Sequence, residues 1–308
     1  MSATSDPSIG HVDAHAHVFR PASVHPRGVD ALVPAERDAP LADLLSVMGA
    51  AGVSNAILIP LDDNDDYVAE VIASHAGQFV GVAVATEDEQ GLTRRDPVES
   101  LRRRRSRYPF VALRTSWLGR PTEPIEASPM FPTLLRMAED GIVLWSYLAP
   151  DQLPLLPKLV ERLPELRVVL NHLGFTPHDM WVDGAVRPRF DHALQPELVQ
   201  TICALGRHPN VYVLVSGHYA LSITEPPYPD LHAPTRRIAD AFGVDRLIWG
   251  SDYPWIRDVP GYDVTRDLVR TILHELDTKS LDRVLGGTAR SLFSFSSSPT
   301  APSQKEVH

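Results

Sequence analysis

The sequence predicts a (β/α)8 barrel, on three observations. Short β-rich runs alternate with helical patterns along most of the chain. Eight runs of each kind fit within roughly 280 residues, the count of a TIM barrel. Side chains able to do chemistry fall at or just after the ends of the β-rich runs, where a barrel keeps its active site. A doubly wound sheet also alternates strands and helices, but it would use fewer strands at this length.

The first strand is read over residues 11–19 and carries His15 and His17. Side chains alternate faces along a strand, so the two imidazoles share a face, about 7 Å apart at their roots. Such a pair can share a divalent metal, hold a polar substrate or pack against backbone partners. Taken alone, it leaves all three open.

A Pro-rich loop insertion covers 20–40. Leu44, Leu45, Val47 and Met48 mark a helix over 41–51, stopped by Gly52. The second strand spans 56–61. The acidic run 62–66 is expected to cap the next helix, 67–75. A third strand (79–85) leads to a helix over 98–107, whose run from Arg102 to Arg105 reads as a solvated face. The fourth strand is 111–115. A helix at 130–139, a strand at 142–147, a Leu/Pro-rich helix at 153–163 and a strand at 167–171 follow. The stretch 174–192 has no clear period and reads as a functional loop. A helix (195–205), a strand (211–215), a loop (219–231), a helix (234–241), a strand (246–249) and a helix (264–275) complete the count. A last helix covers 281–293. Residues 11–293 are expected to form one domain, with flexible ends at 1–10 and 294–308.

Composition narrows the function. The 308 residues are 44% hydrophobic and 22% charged, with a formal net charge of -10. A nucleic-acid binder would need a basic face, so that class is excluded. No apolar stretch approaches a membrane span. The lone Cys203 sits in an apolar helical pattern and permits no disulfide framework, which fits a reducing cytoplasm.

The strand ends then supply the chemistry. The first offers His15 and His17; the fourth, Arg114 followed by Trp117; the fifth, Trp145 and Tyr147. The sixth ends on Asn171-His172-Leu173-Gly174, the seventh on Ser216-Gly217-His218-Tyr219 and the eighth on Trp249-Gly250-Ser251-Asp252-Tyr253-Pro254. Arg114 can grip a carboxylate bidentately or pair with a loop carboxylate. Tyr147 and His218 can donate hydrogen bonds to the same ligand. Trp117, Trp145, Trp181 and Trp255 form either a pocket wall or packing.

His15-Ala16-His17, the Asn171 run and the Trp249 run together resemble the amidohydrolase superfamily. The similar branch is the amidohydrolase-related one of 2-pyrone-4,6-dicarboxylate lactonase and sugar lactonases. The resemblance implies a hydrolase of a lactone or related cyclic ester acting on a small molecule. It implies Asp252 as general base, with His172 beside it. It also implies that His15, His17, His172 and Asp252 hold one divalent metal, zinc first, although parts of the branch work without metal. Arg114 stands where binuclear members carry a bridging ligand, so at most one metal is expected, and Trp145 stands where many mononuclear relatives add a histidine, a further lost ligand. Asn171, Phe175 and Leu214 replace charged residues usual in the branch. These losses favour a neutral or monoanionic substrate over a dicarboxylate. A decarboxylase of an aromatic or unsaturated acid is the alternative, and a non-catalytic binding protein on a decayed barrel comes third. The oligomeric state is left open.

Overall fold

The computed structural model describes residues 10–295, so the segments read as flexible ends lie almost wholly outside the described residues. In chain order the strands are β1 His11–Ala16, β2 Val53–Leu58, β3 Phe79–Val84, β4 Ala112–Thr115, β5 Val143–Ser146, β6 Val168–Leu170, β7 Trp181–Val182, β8 Pro188–Arg189, β9 Val211–Val215 and β10 Leu247–Trp249. Eight of them form one sheet in the order β1-β2-β3-β4-β5-β6-β9-β10, with every neighbouring pair parallel. The helices between them are α1 Leu41–Ala50, α2 Asp66–Ser74, α3 Pro97–Arg107, α4 Phe131–Asp140, α5 Leu155–Arg162, α6 Pro196–Leu205, α7 His218–Leu221, α8 His232–Phe242 and α9 Tyr262–Ile272. α10 Thr278–Asp282 and α11 Thr288–Leu292 follow, joined through a π-turn at Arg283–Gly287. This is the (β/α)8 barrel. Strands buried on both faces explain the near-continuous apolar runs that marked them. No helix among the described residues is long and apolar enough to cross a membrane.

The sheet closes through the residues just past β10. Asp252 N–H donates to His15 O at 2.8 Å, and His17 N–H donates to Tyr253 O at 2.8 Å. The seam of the barrel therefore runs through His15, His17 and Asp252, three of the site residues expected from the sequence. Inside, Val12, Ile57, Val82, Trp145, Val169 and Ile248 belong to one buried cluster with Leu292 and Phe293. Trp145 fills the lumen, its ring 5.9 Å from His15 on one side and 6.2 Å from Phe293 on the other.

Four local readings change. The acidic run does not cap α2 with Asp65, whose side chain makes no cap bond. Asp65 instead takes Arg104 Nε at 2.6 Å and Nη2 at 2.9 Å, and Glu89 takes Nη1 at 2.8 Å. Arg104 is thus buried, not part of a solvated face, because two carboxylates and the carbonyls of Asp63 and Val84 repay its desolvation. The stretch 174–192 contains the two-residue hairpin β7–β8. The start of the 219–231 loop is the single turn α7.

Candidate active site

β1 delivers His15 and His17 to the C-terminal mouth of the barrel, helped by a register irregularity against β2 between Asp13 and Ala16. Their Nε2 atoms lie 3.2 Å apart. Each is 3.4 Å from Asp252 Oδ1. The other oxygen, Oδ2, accepts Tyr219 O–H at 2.8 Å and stands 3.6 Å from His172 Nε2. All of these side chains are buried.

Close backbone approaches permit this crowding. A Cβ on Gly250 would lie 2.8 Å from His15 Cβ. Gly217, at φ +77°, leaves room for the His172 ring, which a Cβ there would meet at 2.9 Å. His172 and Asp252 themselves hold φ of 41° and 63°. Left-handed backbone at non-glycine residues is strained, and such strain concentrates at functional sites.

Hydrogen bonds fix protons. His17 Nδ1 lies 2.8 Å from Ile59 O, an acceptor, so Nδ1 carries the hydrogen and Nε2 presents a lone pair. His172 Nδ1 lies 2.7 Å from Ser216 Oγ. His15 Nδ1 is buried without a partner. Burial raises the cost of ionising Asp252, but the imidazoles of His172, His17 and His15 override it and hold the carboxyl far below its usual range. Burial pushes His172 down to about 4 and His15 well below 6.5, so both are neutral at neutral pH. Burial also lifts the Tyr147 phenol to about 12, which keeps it a donor.

These neutral histidines couple acidity to stability. Burial also lowers His218, to about 3. The unfolded chain takes up protons at these groups near pH 6.5, whereas the folded chain does so only near 4 or below. Folding stability is therefore full above the unfolded value and declines as pH falls through that window. We expect the melting temperature to drop between about pH 7 and about pH 5. An unchanged melting temperature across that range would contradict the buried neutral histidines.

His15, His17 and Asp252 suit a cation. Their three ligand atoms, 3.2 to 3.4 Å apart, match the roughly 3.3 Å edge of a tetrahedral site with bonds of about 2.0–2.1 Å. The anion, the His17 lone pair and the unpartnered His15 leave more acceptors than protons at this point, which a cation would balance. His172 stands apart from that trio, on the far oxygen of Asp252.

Above the trio lies a cavity of about 190 Å³. Arg114 and Tyr147 line it, with the guanidinium over the Tyr147 ring at 4.3 Å. Trp255 lines it as well, its ring 6.1 Å from His17. Trp145 does not; it lies beneath His15 and donates Nε1–H to Asn171 Oδ1 at 3.3 Å. His218 turns towards α8, with Nε2 3.2 Å from Thr235 Oγ1. Trp117 and Trp181 are also outside the lining. Sequence reasoning placed Ser216 and Tyr219 at the seventh strand end but missed Tyr219 as the partner of Asp252 and Ser216 as the partner of His172, and it missed Asp13 beneath the seam. A phenol and a hydroxyl flanking Gly217-His218 at a strand end were the available signal for the first two.

A (β/α)8 barrel that gathers two histidines from its first strand and an aspartate from its eighth around one point is an enzyme scaffold of the hydrolytic, metal-fitting kind. The chain belongs to the amidohydrolase family, whose model matches residues 12–295. It is 27% identical over 258 residues to an L-fucono-1,5-lactonase of Burkholderia ambifaria, across 79% of this chain and 80% of that one. Its fold matches a candidate 2-pyrone-4,6-dicarboxylic acid hydrolase from Pseudomonas putida at 23% identity and TM-score 0.69, over 93% of this chain and 98% of that one. It also matches an amidohydrolase from Burkholderia multivorans with bound zinc at 20% identity and TM-score 0.70, over 92% and 98% of the two chains.

Proposed function

We propose that this enzyme hydrolyses the ring ester of a small lactone. The observation that carries the reading is Asp252, an ionised carboxylate whose Oδ2 accepts Tyr219 O–H while Oδ1 faces His15 and His17, at the base of a small cavity. The L-fucono-1,5-lactonase relative supports the ester class. His15, His17 and Asp252 would hold one divalent cation, zinc by their donor chemistry, and it would polarise the lactone carbonyl when bound.

The chain's own residues do the rest. Tyr219 orients the Asp252 carboxylate through Oδ2. Asp252 takes a proton from water as the water oxygen bonds to the carbonyl carbon. A carboxylate held so far below its usual range is a weak base and passes the proton on. The neutral His172, fixed by Ser216, is placed to guide it to the ring oxygen. The ring carbon–oxygen bond then breaks, and the freed oxygen leaves as a hydroxyl. The new carboxylic acid ionises at neutral pH and releases one proton.

That released proton is the test. In a pH-stat, purified zinc-loaded protein should consume alkali with at least one of gluconolactone, dihydrocoumarin and coumalate. If none is opened while an aromatic acid is decarboxylated with release of carbon dioxide, the hydrolase reading falls and the decarboxylase reading replaces it.

A further inference from the structure

The cavity's walls differ in chemistry. His15, His17, His172 and Asp252 occupy its base. Phe175, beside the His172 ring at 6.0 Å, and Met180, Pro188, Phe190 and Leu221 add an apolar side to the lining. No serine, threonine, asparagine, glutamine or lysine lines it among the described residues. A polyhydroxy ring buried here would leave hydroxyls against carbon, at a cost for each unpaired group. Asp30 and Asp62 do reach the rim, but three of their four carboxylate oxygens already serve the loops. Asp30 Oδ1 accepts the N–H groups of Leu32 and Val33 at 2.8 and 2.7 Å. Asp62 accepts Gly28 N–H at 2.6 Å and Asn64 N–H at 3.0 Å.

Away from the base and the rim, the polar groups among these walls are Arg114 and the Tyr147 hydroxyl beside it. The half-buried Arg114 guanidinium rests on the Tyr147 ring and forms no hydrogen bond or ion pair among the described residues. The contrast with Arg104 is direct, since that buried guanidinium meets two carboxylates and two carbonyls. A guanidinium removed from water without an anion is expensive, and its planar fork fits a carboxylate. Asp30 and Asp62 at the rim disfavour a second anionic group.

We propose that the substrate is a lactone with one carboxylate and an otherwise apolar body, the carboxylate on Arg114 and the body against Phe175, Phe190 and Leu221. A sugar lactone and a dicarboxylate both fit this cavity worse. The inference rests on the hydrolase reading only for the reacting ring, so it is tested by binding without turnover. Calorimetric titration of the wild-type enzyme compares benzoate with isophthalate, benzyl alcohol and gluconate. These probes vary the number of carboxylates and the polarity of the body. We expect benzoate to bind at least about tenfold more tightly than each of the others. Arg114→Gln should weaken benzoate by at least about tenfold, and Arg114→Lys should restore part of the loss. Gluconate or isophthalate binding as well as benzoate would overturn the proposal, as would unaltered benzoate binding in both Arg114 variants. If benzoate is preferred but no lactone is opened, the hydrolase reading fails alone. If lactones are opened but gluconate binds as tightly as benzoate, the specificity proposal fails alone.

Discussion

Asp252→Asn should lower kcat/KM on the best lactone by at least about a thousandfold, or about 4 kcal/mol of transition-state stabilisation. Asparagine has nearly the shape of aspartate, and the Tyr219 hydroxyl can rotate to accept from the new amide. The barrel therefore survives, and a melting curve close to wild type shows it. What vanishes is the negative charge at Oδ1, 3.4 Å from both His15 Nε2 and His17 Nε2, and the ability to take a proton. Zinc content, measured on the same sample, separates the two losses. A variant that keeps its zinc yet loses turnover has lost the base. A variant with full turnover would sink the role given to Asp252.

Much of this was legible in the sequence because barrels place chemistry at strand ends. His15, His17, His172 and Asp252 lie on three different strand ends, far apart in sequence, and a period-two strand reading with the strand count is enough to bring them to one mouth. Arg114 and Tyr147 came with them, since β4 and β5 pair in register with Arg114 beside Trp145. The limits were equally physical. A strand end shows that a side chain is near the mouth but not which way it turns. Trp145 faces down into the lumen, and His218 turns aside because its left-handed Gly217 neighbour starts a helical turn. Arg104 was misread because helical periodicity cannot see Asp65 and Glu89, which reach it from other segments. The apolar wall was invisible for the same reason, as Phe175 and Phe190 come from loops and Leu221 from a single helical turn, none of them with a period.

Asp13→Ala should cost about 3–5 kcal/mol of folding stability, the largest loss from any single side chain at the seam. Asp13 is fully buried, and four groups donate to it. Ser251 N–H at 2.8 Å and His15 N–H at 3.1 Å meet Oδ1; Ser251 O–H at 2.6 Å and Tyr262 O–H at 2.8 Å meet Oδ2. Alanine strands all four in a dry interior, at about 1–3 kcal/mol for each left unpaired, less what relaxation and the relief of a buried charge return. Three of these four donors flank the site directly, because His15 is a member of the trio and Ser251 precedes Asp252. The same substitution should therefore loosen the β10–β1 closure, in which Asp252 N–H bonds to His15 O. Asp13→Asn separates these effects. Its amide can still accept from both backbone N–H groups through oxygen and donate to the Ser251 and Tyr262 hydroxyls, which can reverse as acceptors. Urea unfolding should therefore place Asp13→Asn well above Asp13→Ala. Equal midpoints for wild type and Asp13→Ala would show that the seam is held elsewhere, and that this carboxylate has no part in setting Asp252.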